Sequence, residues 1–135
     1  MSKLTMTAFR NASLRSALRR EYEAARRAGR DATDAELLRR AIHSPVSQGY
    51  FIGVDHAIDM IRLHRGGRMP GHMSAMRRQM WDEIAAKVED RRVSTGCNTT
   101  EAIAHVLSSA TASRFFVSDT CARSITLAQR KEMRG

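Results

Sequence analysis

One short sequence pattern, called a phrase below, occurs twice in the chain, and this repeat constrains the fold more than any other feature of the sequence. The phrase GYFIGVDHA begins at Gly49, and RFFVSDTCA begins 65 positions later at Arg114. Each phrase places two aromatic residues before a β-branched residue and ends in alanine. At the same offset Glu36 falls on Glu101. A repeat of this period predicts one structural unit that is present in two copies.

Each copy carries a helix-start signal upstream of its phrase. The segment TDAE, which begins at Thr33, has the pattern of a capping box, in which the Thr hydroxyl and the Glu carboxylate bond each other's backbone amides. The matching segment NTTE begins at Asn98, another preferred cap residue. Both copies are therefore expected to begin a helix at the same point.

A longer amphipathic helix precedes each capped helix. In the first copy Leu14, Leu18 and Tyr22 recur at helical spacing, and in the second copy the sequence positions 80, 84 and 88 are apolar in the same way. These faces are predicted to point into the core.

The repeated phrases themselves predict very short strands. Tyr50–Ile52 and Phe115–Val117 are aromatic and β-branched, and Gly53 and Ser118 follow as caps of further helices. Because so short a strand has no stability alone, we expect the two to pair with each other, antiparallel, across a pseudo-twofold axis.

The predicted fold is mainly α, with two pseudo-symmetric repeats of helix, helix, short strand and helix, joined by a minimal two-stranded antiparallel ribbon. The repeats cover about 12–65 and 77–131, and the Gly- and Pro-containing segment 66–74 connects them. A content of 42% apolar residues is enough to bury a core, so residues 1–135 are expected to form a single domain.

The sequence favours a cytoplasmic protein without a membrane segment. No apolar run approaches the roughly 20 residues that cross a bilayer. The N-terminus, MSKLTMTAFRNASLRSALRR, lacks the continuous apolar stretch of a secretory signal. Cys97 and Cys121 are isolated thiols, as is common in a reducing compartment, although their number alone also permits one disulfide.

No constellation of residues predicts catalysis, a metal ion or another cofactor. The five His residues lack the paired short spacings of a zinc site. Cys121 lies at a predicted helix start, where a thiol can be activated, but its neighbours predict that this turn faces the core. The glycine-containing segment RGGRMPG does not follow a strand as a phosphate-binding loop does. A helix-turn-helix is also disfavoured, because about nine residues separate the two helices where that motif has three or four.

Positive charge is the feature that bears on function. The net charge is +9, and Arg supplies 20 of the 23 basic residues. This balance predicts a phosphate-directed nucleic-acid-binding protein with weak sequence specificity, because fixed cations release counterions from the polymer. An acidic protein is the alternative partner, and the Arg pairs are equally interpretable as exposed helix surface. The candidate nucleic-acid-binding residues are Arg26, Arg27, Arg39, Arg40, Arg91, Arg92 and Arg114.

One family resemblance accompanies these patterns. The segments AIHSPVSQGYFIGVDHAIDMI and VLSSATASRFFVSDTCARSI resemble parts of small duplicated helical proteins of the kind found in gut Bacteroidales bacteria. The pattern that carries the resemblance is a Ser-Pro turn, an aromatic strand and a following helix. The resemblance implies the duplicated helical fold and implies no activity.

Overall fold

The computed structural model describes residues 3–134, with the side chains of residues 5–133, and this part of the chain is mainly α-helical, as predicted. In chain order the helices are Lys3–Ala28 (α1), Asp34–Ile42 (α2), Val54–Arg65 (α3), Ala75–Thr95 (α4), Thr99–Ser109 (α5) and Asp119–Arg134 (α6). The segment 66–74 is non-helical and separates α3 from α4.

The predicted caps of α2 and α5 are confirmed. The Thr33 hydroxyl accepts from the Glu36 amide at 3.1 Å, and the Glu36 carboxylate accepts from the Thr33 amide at 3.1 Å. At α5 the Asn98 side chain accepts from the Glu101 amide at 2.8 Å. There the Glu101 carboxylate accepts from the Asn98 side-chain amide. The two caps therefore share the first hydrogen bond, from the Glu amide to the cap side chain, and differ in the second.

The predicted two-stranded ribbon is wrong. Neither Tyr50–Ile52 nor Phe115–Val117 forms a strand, and residues 3–134 contain no sheet. The β pairing in this part of the chain is an isolated antiparallel bridge a few residues upstream, where Val46 and Ala112 exchange two backbone hydrogen bonds of 2.9 Å.

The backbone of the first phrase explains why no strand forms there. Gly49 has φ 96° and Phe51 has φ 59°, and neither angle is compatible with an extended ladder. In the second phrase the Phe115 amide donates to the Ile42 carbonyl at 2.8 Å, so α2 satisfies it in place of a neighbouring strand. The aromatic residues that suggested strands are instead used for packing, since the side chains of Tyr50 and Phe115 are buried.

The helices pack in two hairpins with an exchanged third helix. α1 packs on α2, and α4 packs on α5. α3 does not fold back on α1 and α2 but lies against α4 and α5, while α6 lies against α1 and α2. Helices that follow one another in the sequence are therefore not always the ones that pack together, because each third helix packs on the other hairpin.

The buried apolar residues of the described chain form one cluster. The predicted inward faces of α1 and α4 are confirmed, since Leu14, Leu18, Ile84 and Val88 are all buried in it. Trp81 lies in the same cluster with no exposed surface. Burial of such side chains supplies most of the stability of a small helical protein.

Candidate nucleic-acid interface

Four of the predicted arginines are exposed at helix C-termini. Arg26 and Arg27 lie in the last turn of α1, and Arg39 and Arg40 lie in the last turn of α2. Within residues 5–133 none of these four guanidinium groups forms an ion pair or a side-chain hydrogen bond. The negative end of each helix dipole favours cations at these positions. All four side chains are exposed, and Arg39 also lines a groove that contains Asp34 and Asp119.

The second predicted pair is less free. Arg91 and Arg92 are half-buried on α4, and Arg92 Nη1 forms a salt bridge with Glu89 Oε2 at 3.1 Å. Arg91 lines a shallow groove of about 620 Å³ between α4 and α5, together with Lys87 and His105. The pair Arg91–Arg92 therefore presents less positive charge to solvent than the pair Arg26–Arg27, which lies 65 positions earlier.

The Arg114 side chain forms hydrogen bonds with its own loop. Its Nε donates to the Phe115 carbonyl at 2.9 Å, and its Nη2 donates to the Val117 carbonyl at 3.3 Å. The guanidinium also lies 5.7 Å from the centre of the Phe116 ring. This side chain is half-buried and its bonds go to the loop, so its first role is structural.

Few carboxylates neutralise the arginines. In the part of the chain with described side chains, the salt bridges are Lys87–Glu83 and Arg92–Glu89, and His64 forms a hydrogen bond with Asp82. Arg92 is thus the one arginine there with a carboxylate partner. The surplus positive charge of the chain consequently faces solvent and sets the potential around the molecule.

A cavity that the sequence analysis did not predict lies between α1, the start of α4 and the two loops that lead into α3 and α6. Its volume is about 470 Å³. The lining residues are Met6, Thr7, Arg10, Tyr50, Phe51, Ile52, Gly53, His56, Arg77, Met80 and Phe116. Both repeated phrases therefore contribute aromatic residues to one wall.

The cavity is cationic. Arg10 and Arg77 line it, and no carboxylate is among its lining residues. The Arg10 guanidinium donates to the neutral Asn11 side chain at 3.2 and 3.1 Å, which leaves its charge uncompensated. His56 also lines the cavity, and its ring meets the buried Trp81 ring edge-on at 5.7 Å between centres.

One wall of the cavity is aromatic and contains a strained residue. The Tyr50 and Phe116 rings stack with 6.0 Å between their centres. Phe51 has φ 59°, a left-handed conformation that is rare for a bulky residue. Such strain costs on the order of 1–3 kcal/mol and concentrates at functional sites.

A polar cluster behind this wall fixes both loops to α4. The Tyr50 hydroxyl donates to Glu83 Oε1 at 3.0 Å and accepts from Lys87 Nζ at 2.6 Å. Lys87 also donates to the Thr111 carbonyl at 2.5 Å, and the Ser113 amide donates to Glu83 at 3.2 Å. Burial raises the pKa of the Tyr50 hydroxyl well above its ordinary value, and the hydrogen bond and charge of Glu83 raise it further. Tyr50 is therefore a neutral donor held between two charged groups.

The remaining sequence candidates are not brought together. Cys97 and Cys121 are both free thiols. Among the described residues, no group of three or more His, Cys, Asp or Glu side chains is placed to share a metal ion. No helix in that part of the chain is long and apolar enough to cross a membrane.

No family model matches the chain, and no curated protein or solved structure is significantly similar to it. The resemblance to small Bacteroidales proteins stays a prediction.

Proposed function

We propose that this chain is a cytoplasmic, non-catalytic protein that binds nucleic acid through its phosphates, with weak sequence specificity. The observation that carries the proposal is the set of exposed guanidinium groups at the ends of α1 and α2, which have no carboxylate partner among the described residues. Arg26, Arg27, Arg39 and Arg40 belong to a chain of net charge +9.

The physical basis is the release of counterions from a polyanion. Each phosphate that an arginine neutralises frees condensed cations, and this term drives binding without reading the bases. The planar guanidinium group also forks onto phosphate oxygens more favourably than an ammonium group does. Contacts of this kind position a protein on nucleic acid and carry little sequence information.

We further propose that the fold is an internal duplication with a pseudo-twofold axis. The exchange of α3 and α6 between the two helix hairpins supports this, because each third helix packs in the corresponding way on the other hairpin. The reciprocal bridge between Val46 and Ala112 also supports it, because paired backbones that exchange both hydrogen bonds have local twofold geometry.

Under this duplication Arg26–Arg27 and Arg91–Arg92 are equivalent pairs with unequal availability. Arg92 is already paired with Glu89, whereas the first pair is free. We therefore expect Arg26 and Arg27 to contribute the larger share of the binding.

The test is the salt dependence of binding. Fluorescence anisotropy with labelled duplex and single-stranded oligonucleotides should show affinity falling linearly on a log–log plot against salt. Replacement of Arg26, Arg27, Arg91 and Arg92 by Ala should flatten that slope by about one unit for each arginine that contacts a phosphate.

The matched control removes the same charge elsewhere. Arg62→Ala with Arg68→Ala takes two exposed arginines from α3 and the connector, and it should weaken binding less than Arg26→Ala with Arg27→Ala. Equal losses would assign the effect to net charge and not to the Arg26–Arg27 pair. Absence of binding to every nucleic acid at low salt would reject the function and favour an acidic protein as the partner.

A further inference from the structure

We infer that the cavity between α1, α4 and the two loops binds a nucleoside phosphate, with its base against Phe51 and Phe116 and its phosphate between Arg10 and Arg77. The proposed function makes an unstacked nucleotide of a single strand the expected source, and the inference rests on that function for this choice. A free mononucleotide has the same chemistry and is the other source.

The charge of the cavity selects an anion. Arg10 and Arg77 line it without an opposing carboxylate, so its potential is positive. Within residues 5–133 neither guanidinium forms an ion pair, and the hydrogen bonds of Arg10 go to a neutral amide. A phosphate with two negative charges or a phosphodiester with one would find donors that no protein group neutralises.

The aromatic wall selects a flat, unsaturated group. Tyr50, Phe51 and Phe116 all line the cavity, and the Tyr50 and Phe116 rings stack with 6.0 Å between their centres. Nucleobases stack on such rings with little dependence on sequence, as in many proteins that bind single strands. A volume of about 470 Å³ falls within the range of small-molecule sites and suits one nucleotide.

The strain at Phe51 fits a role at this site. A phenylalanine with φ 59° is retained at a position where glycine or asparagine would be relaxed. The half-buried ring lines the cavity and also packs against the hydrophobic core. Strained residues of this kind cluster at ligand-binding sites, which supports a role for the ring in binding.

The accessibility of the bases determines which form of nucleic acid the cavity can bind. A base within a duplex is stacked and paired, and it must leave the stack before a protein pocket can receive it. A single strand presents unstacked bases without that expense. The cavity should therefore favour single strands, whereas the arginines at the ends of α1 and α2 should bind both forms.

The experiment uses the full chain and two labelled probes with equal numbers of phosphates, an oligothymidylate of about ten nucleotides and a hairpin duplex. Phe51→Gly relaxes the backbone but removes a ring that packs against the core, so helical circular dichroism is recorded first to show that the variant is folded. It should lower oligothymidylate affinity about 5-fold or more and leave duplex affinity unchanged. Arg10→Ala with Arg77→Ala should act in the same direction.

A second readout reports occupancy directly. Trp81 is the single tryptophan of the chain, and His56 connects it to the cavity. Saturation with oligothymidylate or with thymidine monophosphate should change its emission in the wild type and leave it unchanged in Phe51→Gly.

The control is Arg26→Ala with Arg27→Ala, which should weaken both probes and preserve the emission change. If the cavity variants bind both probes and thymidine monophosphate as the wild type does, the inference is overturned and the proposed function stands. A response to thymidine monophosphate alone, with no polynucleotide bound, supports the cavity site with a free nucleotide as its source and rejects the proposed function.

Discussion

At the scale of single residues, the Tyr50 hydroxyl is the point at which the cavity wall is joined to α4. It lies between Glu83 and Lys87, and these two side chains also bond the loop that precedes α6. Ionisation of the phenol would place a second negative charge against Glu83 in a buried position. The fold therefore depends on Tyr50 remaining neutral.

This arrangement predicts a loss of stability at alkaline pH. Because the folded pKa of Tyr50 is raised above its ordinary value of 10.0, its contribution is fully present below pH 10 and is lost as pH rises toward the folded pKa. The free energy of unfolding should fall by up to about 1.4 kcal/mol per pH unit in that window. Urea denaturation across this pH range measures it.

Tyr50→Phe is the matched variant for that measurement. It keeps the ring and removes the ionisable group, so it should be less stable than wild type near neutrality and lose less stability above pH 10. Parallel pH profiles for the two proteins would show that other groups cause the alkaline loss.

The residue scale also shows what the sequence does not reveal. Arg26 and Arg114 are the same type of residue in the sequence. Within residues 5–133 the Arg26 side chain forms no hydrogen bond or ion pair, whereas Arg114 donates to two carbonyls of its own loop. Arg10, His56 and Arg77 line one cavity although long stretches of sequence separate them. No local pattern indicates that these three side chains meet, because tertiary packing alone brings them together.

At the scale of elements, the helices that begin with side-chain caps were the most predictable parts of the chain. The capping signals at Thr33 and Asn98 act within one turn, and the structure contains both bonds that they predict. The strands predicted at Tyr50 and Phe115 do not form, and the reason is the opposite one. Their aromatic residues resemble strand residues, but burial against other helices decides their conformation.

The caps give a prediction at this scale. Thr33→Ala and Asn98→Ala should each lower the free energy of unfolding by about 1 kcal/mol, because each leaves a first-turn amide without its side-chain acceptor. Thr100→Ala is the control, since Thr100 is exposed in the first turn of α5 and makes no cap bond. Its effect should stay within about 0.5 kcal/mol. Urea denaturation curves for the three variants decide the matter, and a loss in Thr100→Ala as large as the others would contradict the capping account.

At the scale of the whole molecule, the exchanged third helices make each half depend on the other. α3 buries Ala57, Met60 and Ile61, and the helices that it packs against are α4 and α5. Residues 1–70 alone would leave that face in water, which costs the burial energy of the half-core. The sequence predicts the helical elements that pack here but does not predict this exchange.

Separate halves should therefore complement each other. Residues 1–70 alone are expected to be unfolded or homodimeric, and an equimolar mixture with residues 71–135 should recover the helical circular dichroism and Trp81 emission of the intact chain. Size-exclusion chromatography with light scattering distinguishes the species. A stable, folded monomer of residues 1–70 would contradict the interdependence of the halves.

The position of α6 also has a consequence for synthesis on the ribosome. Among the helices of residues 3–134, α1 and α2 emerge before the others, but the helix that covers them, Asp119–Arg134, is made after the rest. At about 5–20 residues per second, the first hairpin waits several seconds with its apolar face uncovered. During that interval the apolar face of the hairpin is exposed to solvent, and native packing can be completed only after α6 has left the exit tunnel.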